Sequence, residues 1–481
     1  MDNFSAKYIN DNIYGGIGFS TLEFKIINTP TFQRLRRIKQ QGLTSYTFPS
    51  SDHTRFSHSL GVLNVMGKLT KNLGLDSKEQ AKLRLAALLH DIGHYPLSHL
   101  TERVYMNRDS LTSSVTSTDV SLPSSISPLA KKWQKNAVDA NHESMGVEVL
   151  KRSIEIAELI DEGGFSVEEI GEIFTGETVN QLHRQLMHSS LDADRLDYIL
   201  RDSAAAGVSY GLIDLDYLVR LVCTASERRF HDDGRTTTSE VMAVNEKGLH
   251  VLEHYLMARF FSYSQITMHR TTTAFESVAK SLIENLADQG KIYSCYKDIV
   301  EIMGTDEYLN FDDFFIWQKI NETEFQDPYD IYKETLLKRN RIKILLEIKN
   351  IGVKETYPAP ESVYRIIREK AFEDLGFFAN CVGVPVTHMG YTEQQLDIDP
   401  SSSEIYKNER CYSEAPRLKT SKGVEFLTEC SGSLLKELFD KEIKIFRIYY
   451  IDPFPKDSER SNNCKRMAQD KIMEKLNLRE I

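Results

Sequence analysis

His58, the adjacent pair His90 and Asp91, and Asp194 are the residues of this 481-residue chain whose types and placing could do chemistry. Two of them adjoin apolar runs of helical period: Leu60, Val62, Leu63, Met66 and Leu69 after His58, and Leu83 to Leu89 directly before His90-Asp91. An ionised carboxylate closing a buried stripe is costly unless it is paired, hydrogen-bonded or metal-bound. Two imidazoles and two carboxylates suit one divalent transition metal (Mn, Fe, Zn or Ni), with positions left for water and a phosphate oxygen. Singly, each residue reads equally well as a helix cap or a satisfied core group; together they predict a metal centre.

The elements that must position these residues are mostly helical. Helical patterning is expected over Pro30 to Gln41, from His58, over Leu83 to Leu89, Asn141 to Leu159, Val179 to Arg201 and Leu249 to Leu286, with Thr29-Pro30 as an N-cap and first helical residue. Tyr14 to Phe19 reads as β-like, and turn signals at 232–234 and 245–248 around Ser239 to Val244 suggest a small hairpin. The Ser/Thr-rich stretch at about 109–128 lacks the periodicity needed to pack and is expected to be a loop. Beyond about residue 290 shorter helices (Ile331 to Ile348, Glu361 to Leu375) mix with a strand at Ile443 to Tyr449. The expected architecture is therefore mainly α: a helical core over 1–290 with small β-hairpins, and a C-terminal α+β lobe over 291–481 that supplies packing and oligomer contacts.

Composition bounds the function. With 41% hydrophobic and 27% charged residues the chain can build a core, and no run approaches the roughly 18 apolar residues of a membrane span. The start has neither a basic nor an apolar leader region, and six scattered cysteines without a CxxC fit reduced thiols, so a cytoplasmic setting is expected. A net charge of -11 disfavours nucleic acid as partner, though a local basic pocket could hold one small polyanion.

The order His58, His90-Asp91, Asp194 resembles the HD-domain metal phosphohydrolases, and the surrounding words narrow the resemblance to the deoxynucleoside triphosphate (dNTP) triphosphohydrolases. Those words are Ile9-Asn10-Asp11, Thr29 to Gln40, Phe48-Pro49, Arg55 to Val62, His90 to His99, His142-Glu143 and Asp194 to Asp202. The match is similar to the catalytic domain of the family's human member, which also carries a sterile-alpha-motif domain; it runs in order to about residue 275 and is faint beyond.

The resemblance implies that His58, His90, Asp91 and Asp194 hold the metal and that His94, His99 and His142 crowd the phosphates. It implies that His99, oriented by an acidic residue, protonates the leaving 5′-oxygen; Glu102 stands where the human member has Asp. Arg55, Arg195 (a Lys there) and Arg259 would contact phosphate, while Gln40, Tyr198 and Asp202 would hold the sugar and exclude a 2′-hydroxyl. Gln41 and Thr267 depart from the family pattern. Lys7, Tyr8, Asn10, Asn28, Gln33 and Arg36 match positions that bind an activating nucleotide in a homo-oligomer (dimer, tetramer or hexamer), with Asn28 replacing a guanine-reading Asp. The implied substrate is a dNTP carrying Mg. Two other readings stay open: an HD-type phosphodiesterase, nucleotidase or single-strand nuclease, and a nucleotide-sensing binding protein.

Overall fold

The computed structural model describes residues 7–114, 140–230, 236–353, 375–397, 415–430, 432–436, 441–454 and 456–475. Helices dominate, as expected. The Arg55–Asn72 helix is the central pillar: its buried stripe of Leu60, Val62, Leu63, Val65, Met66 and Leu69 packs against Ser77–Leu89 and Ala193–Ala206. These side chains and those of Ile154–Glu162, Val167–Phe174 and Leu249–Ser262 form one continuous core. A second apolar cluster centres on Phe275, Leu282 and Leu286 of Arg270–Asp288, against Ile316, Ile320 and Leu336.

The sheets are peripheral. Strands β1 (Lys7–Asp11) and β2 (Gly15–Phe19) form an antiparallel hairpin, and β3 (Val222–Phe230) pairs antiparallel with β4 (Thr236–Asn245), the hairpin expected there. Late in the chain come β5 (Ile342–Val353), β6 (Met389–Asp397), β7 (Arg417–Thr420), β8 (Gly423–Phe426) and β9 (Lys441–Ile451). Strand β9, the expected late strand, is the middle of a β5-β9-β6 antiparallel sheet, while β7 joins β4 in parallel and carries β8.

Several expectations are corrected. The helix expected over Pro30 to Gln41 is α only over Pro30–Gln33, tightens to a 3-10 turn over Arg34–Arg37 and ends at an extended Ile38, whose carbonyl accepts from Arg55 N instead of continuing the helix. The helix expected over Ile331 to Ile348 stops at Lys338, where Arg339 takes a left-handed φ of 50°; the β-branched run beyond pairs with β9. Residues 109–114, read as loop, end the His99–Ser114 helix, while 115–128 lie outside the described residues, as does nearly all of the expected Glu361 to Leu375 helix. Among the described residues no helix is long and apolar enough to cross a membrane.

Candidate metal centre and reaction site

Helix ends carry the chemistry. His58 lies in the first turn of Arg55–Asn72, His90 caps the C-terminus of Ser77–Leu89, His142 opens His142–Arg152, and Asp194 is in the first turn of Ala193–Ala206. Side-chain caps fix the three helix starts: Thr54 accepts from Ser57 N, Asn141 from Ser144 N and Asp192 from Arg195 N.

The nitrogen and oxygen atoms of His58, His90 and Asp91 that could ligate lie within 4.8 Å of one another. Asp194 Oδ1 joins them, 2.9 Å from His58 Nε2 and 3.7 Å from His90 Nε2. Both Nε2 atoms are buried and face these carboxylate oxygens without an aligned hydrogen bond to any of them. Their other nitrogens are engaged: His58 Nδ1 pairs with Asp197 Oδ2 at 2.7 Å and His90 Nδ1 with the Ala87 carbonyl at 2.8 Å. Two imidazole edges turned inward beside two carboxylates are the donor set of a divalent cation, so these residues fit the implied metal. With no cation, burial alone would lower the His58 pKa, but Asp194, Asp197 and Asp91 raise it to about 10. Burial likewise opposes ionisation of Asp91, yet Arg55, His90 and His58 hold its carboxyl well below the usual range.

A second layer holds His58. Arg201 grips Asp197 with Nε at 2.8 Å and Nη2 at 3.1 Å, and its Nη1 reaches Asp11 of β1 at 2.8 Å. The approach requires Gly61: a Cβ there would stand 1.9 Å from Asp197 Oδ1 and 2.4 Å from Arg201 Nη2. Sequence reading did not assign Asp197, Arg201 or Asp11 a role. The available signal was the i, i+4 Asp-Arg pair on the helix of Asp194, facing a glycine one turn after His58.

Beside the carboxylate-rich cluster sit three imidazoles. The His94 and His142 rings stack at 4.2 Å, and His99 packs edge-on to both at 5.0 and 5.3 Å. Glu102 reaches two of them, His99 Nδ1 at 2.5 Å and His142 Nδ1 at 2.8 Å, so its longer arm does reach His99. Gly93 makes the approach possible, since a Cβ there would lie 2.1 Å from Gly146 N and 2.3 Å from the His142 carbonyl. Burial would lower the His142 pKa, but Glu102, Glu143 and Asp91 raise it to about 9. His94, fully buried, is lowered by desolvation and by the Arg55 and His142 charges. His99 has an open side, with 51% of its side chain exposed; desolvation of its inner face, then the Arg55 and His142 charges, lower it despite Glu102. Burial favours a neutral Glu102, but His142 and His99 together keep it ionised far below its ordinary range.

The expected phosphate and sugar contacts are placed as follows. Arg55 is a buried divider, bonded to Asp91 Oδ2 at 2.8 Å, Ser98 Oγ at 3.0 Å and the Gln40 carbonyl at 3.2 Å. Arg195 holds its own cap, Asp192, and donates to the Ser189 carbonyl at 2.7 Å. Arg259 is buried with Nη1 unpartnered, and its charge and that of Arg195 both act on Tyr198. Tyr198 packs edge-on against Tyr263, hydroxyl to hydroxyl at 3.2 Å. His53, not assigned from sequence, joins two expected sugar contacts: its carbonyl accepts from Gln40 N at 3.0 Å and its Nε2 meets Asp202 at 2.8 Å.

Of the expected activator residues, Lys7, Asn10, Asn28 and Arg36 are exposed and Gln33 is half-buried. Lys7 stands over the Phe24 ring at 4.1 Å, Asn10 is exposed on β1, Asn28 donates to the Phe24 carbonyl, and Gln33 links the Ile27 carbonyl to Arg36 Nε. A cleft of about 550 Å³ beside Asn28 is walled by Glu155, Glu158 and Glu162.

The HD domain family model matches residues 55–199. A protein of Methanocaldococcus jannaschii is 31% identical over 279 residues, covering 58% of this chain and 49% of its own length, so the chain spans about half of that relative. A bovine protein named deoxynucleoside triphosphate triphosphohydrolase SAMHD1 is 45% identical over 103 residues, 20% of this chain and 18% of its own. A solved structure from Aquifex aeolicus superposes with a TM-score of 0.66 at 24% identity, covering 95% of this chain and 99% of that one. Residues 55–199 thus match the HD domain family, and about a fifth of the chain is similar to a protein named deoxynucleoside triphosphate triphosphohydrolase.

Proposed function

We propose that the chain is a metal-dependent dNTP triphosphohydrolase: water adds to the α-phosphorus, the bond from phosphorus to the 5′-oxygen breaks, and deoxynucleoside and inorganic triphosphate leave. One observation carries the reading: the buried Nε2 atoms of His58 and His90 turn towards Asp91 and Asp194 directly beside the His94, His99 and His142 trio. A divalent metal held by His58, His90, Asp91 and Asp194 would polarise the α-phosphate and lower the pKa of a bound water. His94 and cationic His142 receive phosphate charge, and Arg259 offers its free Nη1. His99, tied to Glu102 through Nδ1 and lowered in pKa, is the stronger acid once protonated and would give that proton to the 5′-oxygen. Glu102 also bonds His142, which supplies positive charge next to that donor.

Tyr198 against Tyr263, with Asp202 braced by His53, supports a packed sugar seat that rejects a 2′-hydroxyl. A homo-oligomer activated by a nucleotide at Lys7, Asn10, Asn28, Gln33 and Arg36 belongs to the same reading, as does a cytoplasmic substrate pool. The test is product analysis with four dNTPs and four NTPs in Mn²⁺, Mg²⁺ or Fe²⁺, with and without a second nucleotide. Equimolar deoxynucleoside and triphosphate are expected; nucleoside monophosphate and pyrophosphate, or no turnover of any mononucleotide, would overturn it.

A further inference from the structure

The turn that delivers His99 is bent in an unusual way. Leu97 and Ser98, neither of them glycine, both adopt φ of 56°, in the left-handed region that L-residues avoid. The turn has one backbone bond of its own, Ser98 N to the Tyr95 carbonyl at 3.0 Å, and no glycine at either position, so the surroundings must help to impose it. Among the groups that do so is Asp313, buried at the start of the Asp313–Glu322 helix and 114 positions beyond the end of the HD match. Its Oδ1 accepts from Leu97 N at 2.6 Å and its Oδ2 from Lys39 N at 3.0 Å. The two donating segments are themselves tied, because Ser98 Oγ donates to the Lys39 carbonyl at 2.6 Å. The other end of the turn is fixed from the same remote segment: Arg34 bonds the His94 carbonyl at 2.9 Å and the Phe311 carbonyl at 2.8 Å.

We infer that Asp313 is a positioning residue for the reaction centre: by accepting both backbone N–H groups it locks the left-handed Leu97–Ser98 turn and so sets His99 against Glu102. The role of the turn in catalysis rests on the proposed function, whereas the lock does not. A carboxylate offers an acceptor oxygen to each N–H; an Asn of the same shape offers one oxygen and turns an NH₂ towards the other donor, so Asp313→Asn breaks one tie with little change of volume.

The test compares Asp313→Asn with Asp312→Asn in the full chain. Asp312 is the neighbouring cap, paired with Arg37, and touches neither Leu97 nor Lys39; Asn caps equally well. Hydrogen exchange of peptides spanning 93–104 should quicken at least tenfold in Asp313→Asn and stay unchanged in Asp312→Asn, with peptides from 58–72 and bound Mn²⁺ unaltered in both. Where dNTP turnover is present, kcat should fall at least tenfold in Asp313→Asn with KM within twofold. Unchanged exchange at 93–104, or an equal change in Asp312→Asn, overturns the inference whether or not dNTPs are substrates. Absence of turnover in the wild-type chain counts against the proposed function alone. If Asp313→Asn does not fold, the wild-type chain decides: the Leu97 amide must exchange as slowly as the core of the Arg55–Asn72 helix, and rapid exchange there rejects the lock.

Discussion

Two clusters share one site and differ in their balance of carboxylates and imidazoles. Around His58 and His90, three carboxylates (Asp91, Asp194 and Asp197) face two imidazoles, a surplus of acceptor oxygens, shared with Arg55 and Arg201, that suits a divalent cation. Around His94, His99 and His142, one carboxylate, Glu102, faces three imidazoles, a surplus of donors that an anion satisfies. Arg55, bonded to Asp91 and lowering the pKa of His94 and His99, stands between them. A cation seat next to an anion seat is what a metal-bound phosphate ester needs, and neither cluster alone would suggest it.

The comparison breaks hardest if the cation seat is removed. Replacing His90 and Asp91 together by Ala should abolish metal binding and reduce turnover by about 10³-fold or more, since water activation is lost with the ion. Metal analysis and turnover on the same sample check this. An active, metal-free double variant would leave the carboxylate cluster as structural only.

The anion seat should fail differently. Glu102→Gln keeps the side-chain length but removes the charge that orients His99 and holds a proton on His142. Turnover should fall by about 10²-fold to 10⁴-fold, the range for a positioned acid or base, while metal content stays full. Loss of metal in this variant would show that the two clusters are one.

A smaller effect is expected one layer out. Asp197→Asn leaves every ligand in place but weakens the charge that sets His58, and metal affinity should drop about 10- to 100-fold by competition titration. The same seat predicts a pH dependence. The His58 pKa is raised to about 10 in the ion-free fold, against about 6.5 unfolded, so its contribution to ion-free stability is fully present below about pH 6.5 and is lost as pH rises through 10. The ion must displace that proton. Apparent metal affinity should therefore rise by about tenfold per pH unit across the neutral range, one proton released per ion. Affinity flat from pH 6 to 8 would mean that His58 is not a ligand.

The grouping of His58, His90 and Asp91 was legible in the sequence because His58 opens an apolar helical run and a buried His-Asp pair closes another, where it stands out against the pattern. The helical core followed from the same periodicity. What stayed illegible depends on distance in the chain. Asp313 lies in a segment whose own pattern gives no hint of the His94–His99 turn it serves, and Asp11 meets Arg201 across 190 positions. The helix expected to run through Ile348 failed for a related reason, since β9 supplies from 100 residues away the partner that makes a strand of Ile342–Val353.

The finest distinction concerns the sugar, where the two seats have no say. Tyr198 of the Ala193–Ala206 helix meets Tyr263 edge-on, and Thr267, one of the departures from the family pattern, is exposed at the end of a π-helical turn. Tyr263, four residues earlier in that turn, presents its hydroxyl to Tyr198. Removing the ring by Tyr198→Ala should narrow the preference for dNTP over NTP by about 1–3 kcal/mol, roughly 5- to 150-fold in the ratio of kcat/KM, the scale of a pocket losing steric fit rather than a buried polar contact. Tyr263→Ala should produce a smaller change in the same direction, with metal content and kcat for dNTP within a few-fold of the wild type. Equal effects from the two would place the gate at their contact, and an unchanged ratio in both would remove sugar selection from this helix while leaving the metal and histidine seats as they stand.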